Sequence, residues 1–118
     1  MIFCSKNEDG VPAWKLIIDG KKTVTRRLKP VDPGNILAVQ PNRCMKAVGY
    51  IRIKSCCDSI KYLNEYADFT DLIEWKQREA QLEGFNSWDG LMRFFQKHNI
   101  QFGETYRLEF EYIGVCKP

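Results

Sequence analysis

The chain has 118 residues, 44% of them hydrophobic and 13% aromatic, and a net charge of +3. That suits one packed domain over residues 1–118 and excludes an intrinsically disordered chain. No apolar run approaches the ~20 residues of a membrane-spanning helix, so no membrane partner is expected.

Met1 to Ser5 reads as a short opening strand. The same residues with Lys6 lack the basic start and long apolar stretch of a secretory signal, which makes the cytoplasm the expected compartment. Pro12 followed by Ala13, Trp14, Leu16, Ile17 and Ile18 suits a short helix, ended by Gly20. Thr23 to Leu28 is rich in β-branched residues and reads as a strand, stopped by Pro30 and the Asp32-Pro33-Gly34 turn. Ile36 to Val39 reads as a buried strand. Ala47 to Ser55 reads as another, with Ile51 and Ile53 alternating with Arg52 and Lys54.

From Tyr62 the period becomes helical: Tyr62, Leu63, Tyr66, Phe69, Leu72 and Ile73 share a stripe on a long helix that Gly84 ends. Ser87 is a good N-cap for a further helix whose stripe is Trp88, Leu91, Met92, Phe95 and His98. The last strand has Tyr106, Leu108, Phe110 and Tyr112 facing inward, alternating with Arg107, Glu109 and Glu111. The order predicts an α+β fold, with a mixed or antiparallel sheet curled toward a barrel and flanked by helices. Trp14, Trp88 and Phe95 belong to its core.

Five cysteines, an odd number without a CxxC, fit a reducing compartment better than a disulfide framework. A zinc site from Cys44, Cys56, Cys57 and His98 lacks the usual closely spaced ligand pairs, so neither metal nor cofactor is expected. Charge is unevenly spread: residues 1–61 hold twelve Lys/Arg and five Asp/Glu, whereas residues 62–118 hold six and ten. Either the fold presents a positive face to an anionic partner, or it mixes the two halves and cancels the field.

The segment richest in chemistry is Gly20-Lys21-Lys22-Thr23-Val24-Thr25-Arg26-Arg27. Its arginines offer planar forks of donors for phosphates or base edges, and its lysines offer point charge. The same residues also suit an exposed edge strand protected from aggregation by its cations. Glu83 forms a second candidate, because a carboxylate at a helix C-terminus opposes the helix dipole; a solvated surface acid paired with Arg78 or Lys76 is the equal alternative.

The segments GKKTVTRRLKP, ILAVQP with KAVGYIRI, and EGFNSWDGLMRFF resemble, in that order, the ASCH domain, a relative of the PUA fold. The resemblance implies a PUA-like β-barrel with helices bordering a cleft lined by the KTxTxR segment and the acidic residue before Gly-Phe. It implies RNA or nucleotide binding; the cations expected to contact such a ligand are Lys21, Arg26, Arg27, Arg43 and Lys46. One branch of the family hydrolyses 4-acetylcytidine with a lysine, a threonine and a glutamate, which match Lys22, Thr25 and Glu83 here. An RNA-cleaving enzyme using the same cleft is a further alternative; a protein partner is possible but not indicated by any motif. In a regular strand Lys22 and Thr25 would face opposite sides, so they share a site only if Lys22 still lies in the turn after Gly20.

Overall fold

The computed structural model describes residues 1–66 and 72–118. Four helices, α1 (Ala13–Ile18), α2 (Ser59–Tyr66), α3 (Leu72–Leu82) and α4 (Trp88–Lys97), accompany four strands, β1 (Val24–Arg27), β2 (Ile36–Val39), β3 (Gly49–Asp58) and β4 (Tyr106–Gly114). The strands form one antiparallel sheet in the order β1-β4-β3-β2.

The expected barrel closure is not seen: β1 and β2 are the two ends of an open sheet. The N-terminal residues lie between these ends without completing a ladder. Ile2 makes an isolated parallel bridge to Gln40, so the strand expected over Met1 to Ser5 is reduced to that bridge. On its other side, the link to β1 is a side chain, with Arg27 Nη2 donating to Ile2 O at 3.0 Å.

One face of the sheet carries a core of Phe3, Ala13, Ile17, Val39, Ile51, Ile53 and Phe110, against which Trp14 packs. A second cluster, Ala80, Phe85, Leu91 and Phe95, with Trp88 packed on it, joins α3 to α4. The alternation in β3 holds, with Ile51 and Ile53 buried and Arg52 and Lys54 exposed. β2 is less buried than expected, since an end strand has a neighbour on one side alone; only Val39 is fully covered.

Helix ends follow the local chemistry. α1 and α3 end at Gly20 (φ 75°) and Gly84 (φ 91°), where the left-handed backbone carries no Cβ penalty. In each, the next residue's N–H reaches back to the helix: Lys21 N to Leu16 O at 2.8 Å, and Phe85 N to Ala80 O at 2.9 Å. α4 starts as expected, with Ser87 Oγ accepting from Gly90 N at 3.1 Å. Ser87→Ala is expected to lower the urea midpoint by an amount equivalent to ~1 kcal/mol, the usual worth of such a cap.

Two expectations about faces need correction. The long helix is described as α2 and α3, and Phe69 of its stripe lies outside the described residues. Leu72 and Ile73 are exposed; the buried line of α3 runs instead through Trp75 and Glu79 and on to Glu83 just past its end, each four residues on from the last. His98 is not on the buried stripe of α4 but exposed at its C-cap, its ring 4.5 Å from that of Phe94.

Candidate functional site

The two glycine turns bring the end of α1 and the end of α3 together at the start of β1. Thr23 N donates to Leu82 O at 2.9 Å, fixing one turn against the other. The strand begins at Val24, so Lys22 lies in the turn before it, as sharing a site with Thr25 requires. Phe110 N donates to Thr23 O at 3.0 Å, and Val24 stands opposite Glu109. In that antiparallel register the carbonyl of Val24 points away from β4, toward the open edge. Lys22 Nζ folds back onto it at 2.7 Å and also donates to Glu83 O at 2.8 Å.

Lys22 is 6% exposed. Burial pulls its pKa down to about 8; the Glu83 carboxylate opposes this, while Arg27 and Arg26 add to it. Two carbonyl partners match the two N–H groups of a neutral amine, which leaves one lone pair. The ammonium that Lys22 becomes at lower pH has a third N–H in that direction.

Arg26, also buried, leaves the opposite face of β1 from Thr25. Its Nη1 donates to Glu83 Oε2 at 2.6 Å, its Nη2 to Glu79 Oε2 at 2.8 Å and its Nε to Ser59 Oγ at 3.2 Å. Arg107, directly across the ladder, grips the same Glu79 with Nε and Nη2, both at 2.9 Å. The buried run Arg107–Glu79–Arg26–Glu83 therefore alternates in sign. Burial pushes the Glu79 carboxyl up, but the hydrogen bonds and charge of Arg107 and then of Arg26 outweigh it and hold it below the ordinary value. Each arginine also lies over a ring: Arg26 5.0 Å from Phe102, and Arg107 3.9 Å from Tyr62.

The basic segment is thus mostly turned inward, in contrast to the exposed cationic edge expected from its composition. Lys22, Thr25 and Arg26 are buried, Arg27 is half-buried, and Lys21 is exposed. Arg27 lies 4.7 Å over the Phe3 ring, and its buried Nε has no hydrogen-bond partner among the described residues. Arg43 and Lys46 are exposed on the β2–β3 loop, and no side-chain hydrogen bond joins them to this segment among the described residues. Glu83 pairs with Arg26, not with Lys76 or Arg78. It also borders a cavity of about 10 Å³, the space of one water, shared with Ser5, Asn7 and Phe85.

Glu79, Arg107 and Ser59 were absent from the residues singled out by sequence. Arg107 alternates with apolar neighbours and reads as solvent-facing, but β4 is an inner strand with helices over its second face. The available signal was Glu79 one helical turn before Glu83. Among the described residues no group of three or more His, Cys, Asp or Glu could hold a metal, and the five cysteines are free thiols.

No family model matches the chain, and no curated protein matches it. A solved structure does: protein EF3133 from Enterococcus faecalis V583, described as family-model DUF984, aligns over 99% of this chain and 81% of its own. The TM-score is 0.53 and the identity 14%, a likeness that speaks for the α+β fold alone.

Proposed function

We propose that this chain is a small ASCH-type, PUA-like amidohydrolase that removes the acyl group from an N-acylated nucleoside of the 4-acetylcytidine type. The observation that carries this reading is Lys22: a buried amine bonded to two backbone carbonyls, that of Glu83 and that of Val24, the residue before Thr25. A neutral Lys22 takes the Thr25 hydroxyl proton as Oγ attacks the acyl carbonyl. The C–N bond then breaks, the base leaves with its amine protonated by the Lys22 ammonium, and the acyl group stays on Thr25 as an ester. Water then cleaves that ester, giving acetate and free Thr25. Arg26 holds the Glu83 carboxylate in place, and that carboxylate's charge favours the Lys22 ammonium that protonates the leaving amine.

RNA or nucleotide binding, with or without RNA cleavage, is the second reading. It is favoured by the exposed cations Lys21, Arg43 and Lys46. Against it, Arg26 is already paired with two glutamates, and Lys22 is buried with its amine on two carbonyls, which removes both from a phosphate-binding face.

The deciding measurement is release of cytidine from 4-acetylcytidine by the wild type beside Lys22→Met, Thr25→Val and Glu83→Gln. Wild-type turnover is expected, with each variant slower by at least ~10²-fold, the usual contribution of a positioned acid or base. No wild-type product, together with RNA affinity that falls steeply with added salt, would replace the hydrolase by the binding module.

A further inference from the structure

A buried catalytic group needs a path for substrate, and the cavity beside Glu83 admits only a water. On the outer side of the same wall is a groove of about 480 Å³. Asn7, Leu16, Gly84 and Phe85 line both the groove and the small cavity, so these residues are what separates them.

The part of this wall least tied to the sheet is the turn from Asn7 to Val11. Its base is held by the backbone, with Asn7 N donating to Val11 O at 3.0 Å and Ala13 N to Ser5 O at 2.8 Å. Its tip, by contrast, is exposed at Glu8, Asp9 and Gly10 and is attached through side chains. Asn7 Nδ2 donates to Gly84 O at 3.1 Å. Glu8 Oε2 accepts from Asn86 N at 2.8 Å and Ser87 N at 3.2 Å, and Asn86 Nδ2 donates to Asp9 Oδ2 at 2.9 Å. Every one of these bonds lands on the four residues that follow Glu83.

Gly90 is part of the same device. A Cβ there would stand 2.5 Å from Glu8 Cδ, so the glycine in α4 leaves the space that the carboxylate fills. On the inner side, a Cβ at Gly84 would touch the Lys22 stem at 3.6 Å. The turn, the Gly84 segment and Lys22 therefore lie one behind the other.

We propose that the groove is the docking site for the nucleoside part of the substrate, and that the Asn7–Val11 turn is its movable wall, opening to join it to Glu83 and Lys22. This rests on the hydrolase reading. The groove's charges balance, Lys15 and Lys21 against Asp9 and Asp19, which suits a polar ligand without net charge. Phe85 and Leu16, themselves largely buried, form the apolar part of its floor.

Reductive methylation of the folded protein, read lysine by lysine by mass spectrometry, tests both parts. Glu8→Ala and, independently, Gly90→Ala are expected to speed methylation of Lys22 by about tenfold or more, the effect of losing a few local hydrogen bonds on an opening equilibrium. Exchange of the Ile53 amide, which is bonded to Asn35 O, reports global opening and is expected to change little. Cytidine is expected to slow methylation of Lys15 and Lys21 and to leave that of the exposed Lys54 on β3 unchanged. Lys22 rates that are unaltered in both variants, or that rise only in step with Ile53 exchange, overturn the movable wall. Protection absent from Lys15 and Lys21 overturns the docking site. Because none of these readouts is turnover, a protein inert toward 4-acetylcytidine yet showing all of them would remove the hydrolase reading and keep the wall and groove.

Discussion

Glu79→Ala is expected to destabilise the protein by about 3–5 kcal/mol, the cost of removing one partner from a buried ion pair and leaving the others unpaired. Three of the hydrogen bonds in the buried cluster end on this carboxylate, one from Arg26 and two from Arg107. Without it, two like charges stand opposite each other across the β1–β4 ladder. Arg26 keeps Glu83 and Ser59, whereas Arg107 keeps Glu109 at 3.5 Å, a partner that is itself 41% exposed. Urea unfolding near neutral pH measures the loss. Glu79→Gln, which keeps the shape and some hydrogen bonds, is expected to lose less. Arg52→Ala breaks the exposed pair with Glu111 and is expected to cost at most ~1 kcal/mol. A Glu79→Ala cost as small as that of Arg52→Ala would show that the cluster adds no stability. The same carboxylate contributes acid sensitivity: its stability is present above the ordinary carboxylate pKa and is lost as pH falls through its lowered folded value.

The second large effect is a rise of stability with pH, opposite in sign to that of a lysine held by an ion pair. The folded protein lowers the Lys22 pKa to about 8. Below that value both folded and unfolded chains are protonated, and the folded state carries the full penalty of a buried ammonium. Above it the folded lysine is neutral while the unfolded one keeps its proton up to ~10.4. The unfolded state then binds more protons, so unfolding free energy increases with pH. Between about pH 7.5 and 9.5 the expected gain is ~2 kcal/mol. Unfolding midpoints of the wild type and Lys22→Met across that range check it, because the variant has no such slope whatever its absolute stability. A wild type with no greater slope than Lys22→Met would mean that Lys22 is solvated. In the hydrolase reading the same titration gives kcat/KM a rise through about pH 8, as the base form of Lys22 appears.

The local part of this protein was legible in its sequence. Gly20, Gly84 and Ser87 mark helix ends through backbone chemistry that depends on a few neighbouring residues. The alternation of Ile51 and Ile53 with Arg52 and Lys54 identifies β3 for the same reason. Lys22, Thr25 and Glu83 were singled out by motif, and Gly20 permitted, without fixing, the turn that frees Lys22 from the strand register. What the chain could not disclose locally was which faces would be covered. Arg107 and Arg26 sit at positions that read as outward, and α3 lays Glu79 and Glu83 over them. Leu72 and Ile73, which read as inward, are exposed. The open sheet is likewise a tertiary outcome, since Arg27 bridges to Ile2 by a side chain where a barrel would need a ladder. Short-range periodicity gives the geometry of each element, but burial of a charge depends on a countercharge that arrives from 28 to 57 residues away, and only the assembled fold supplies it.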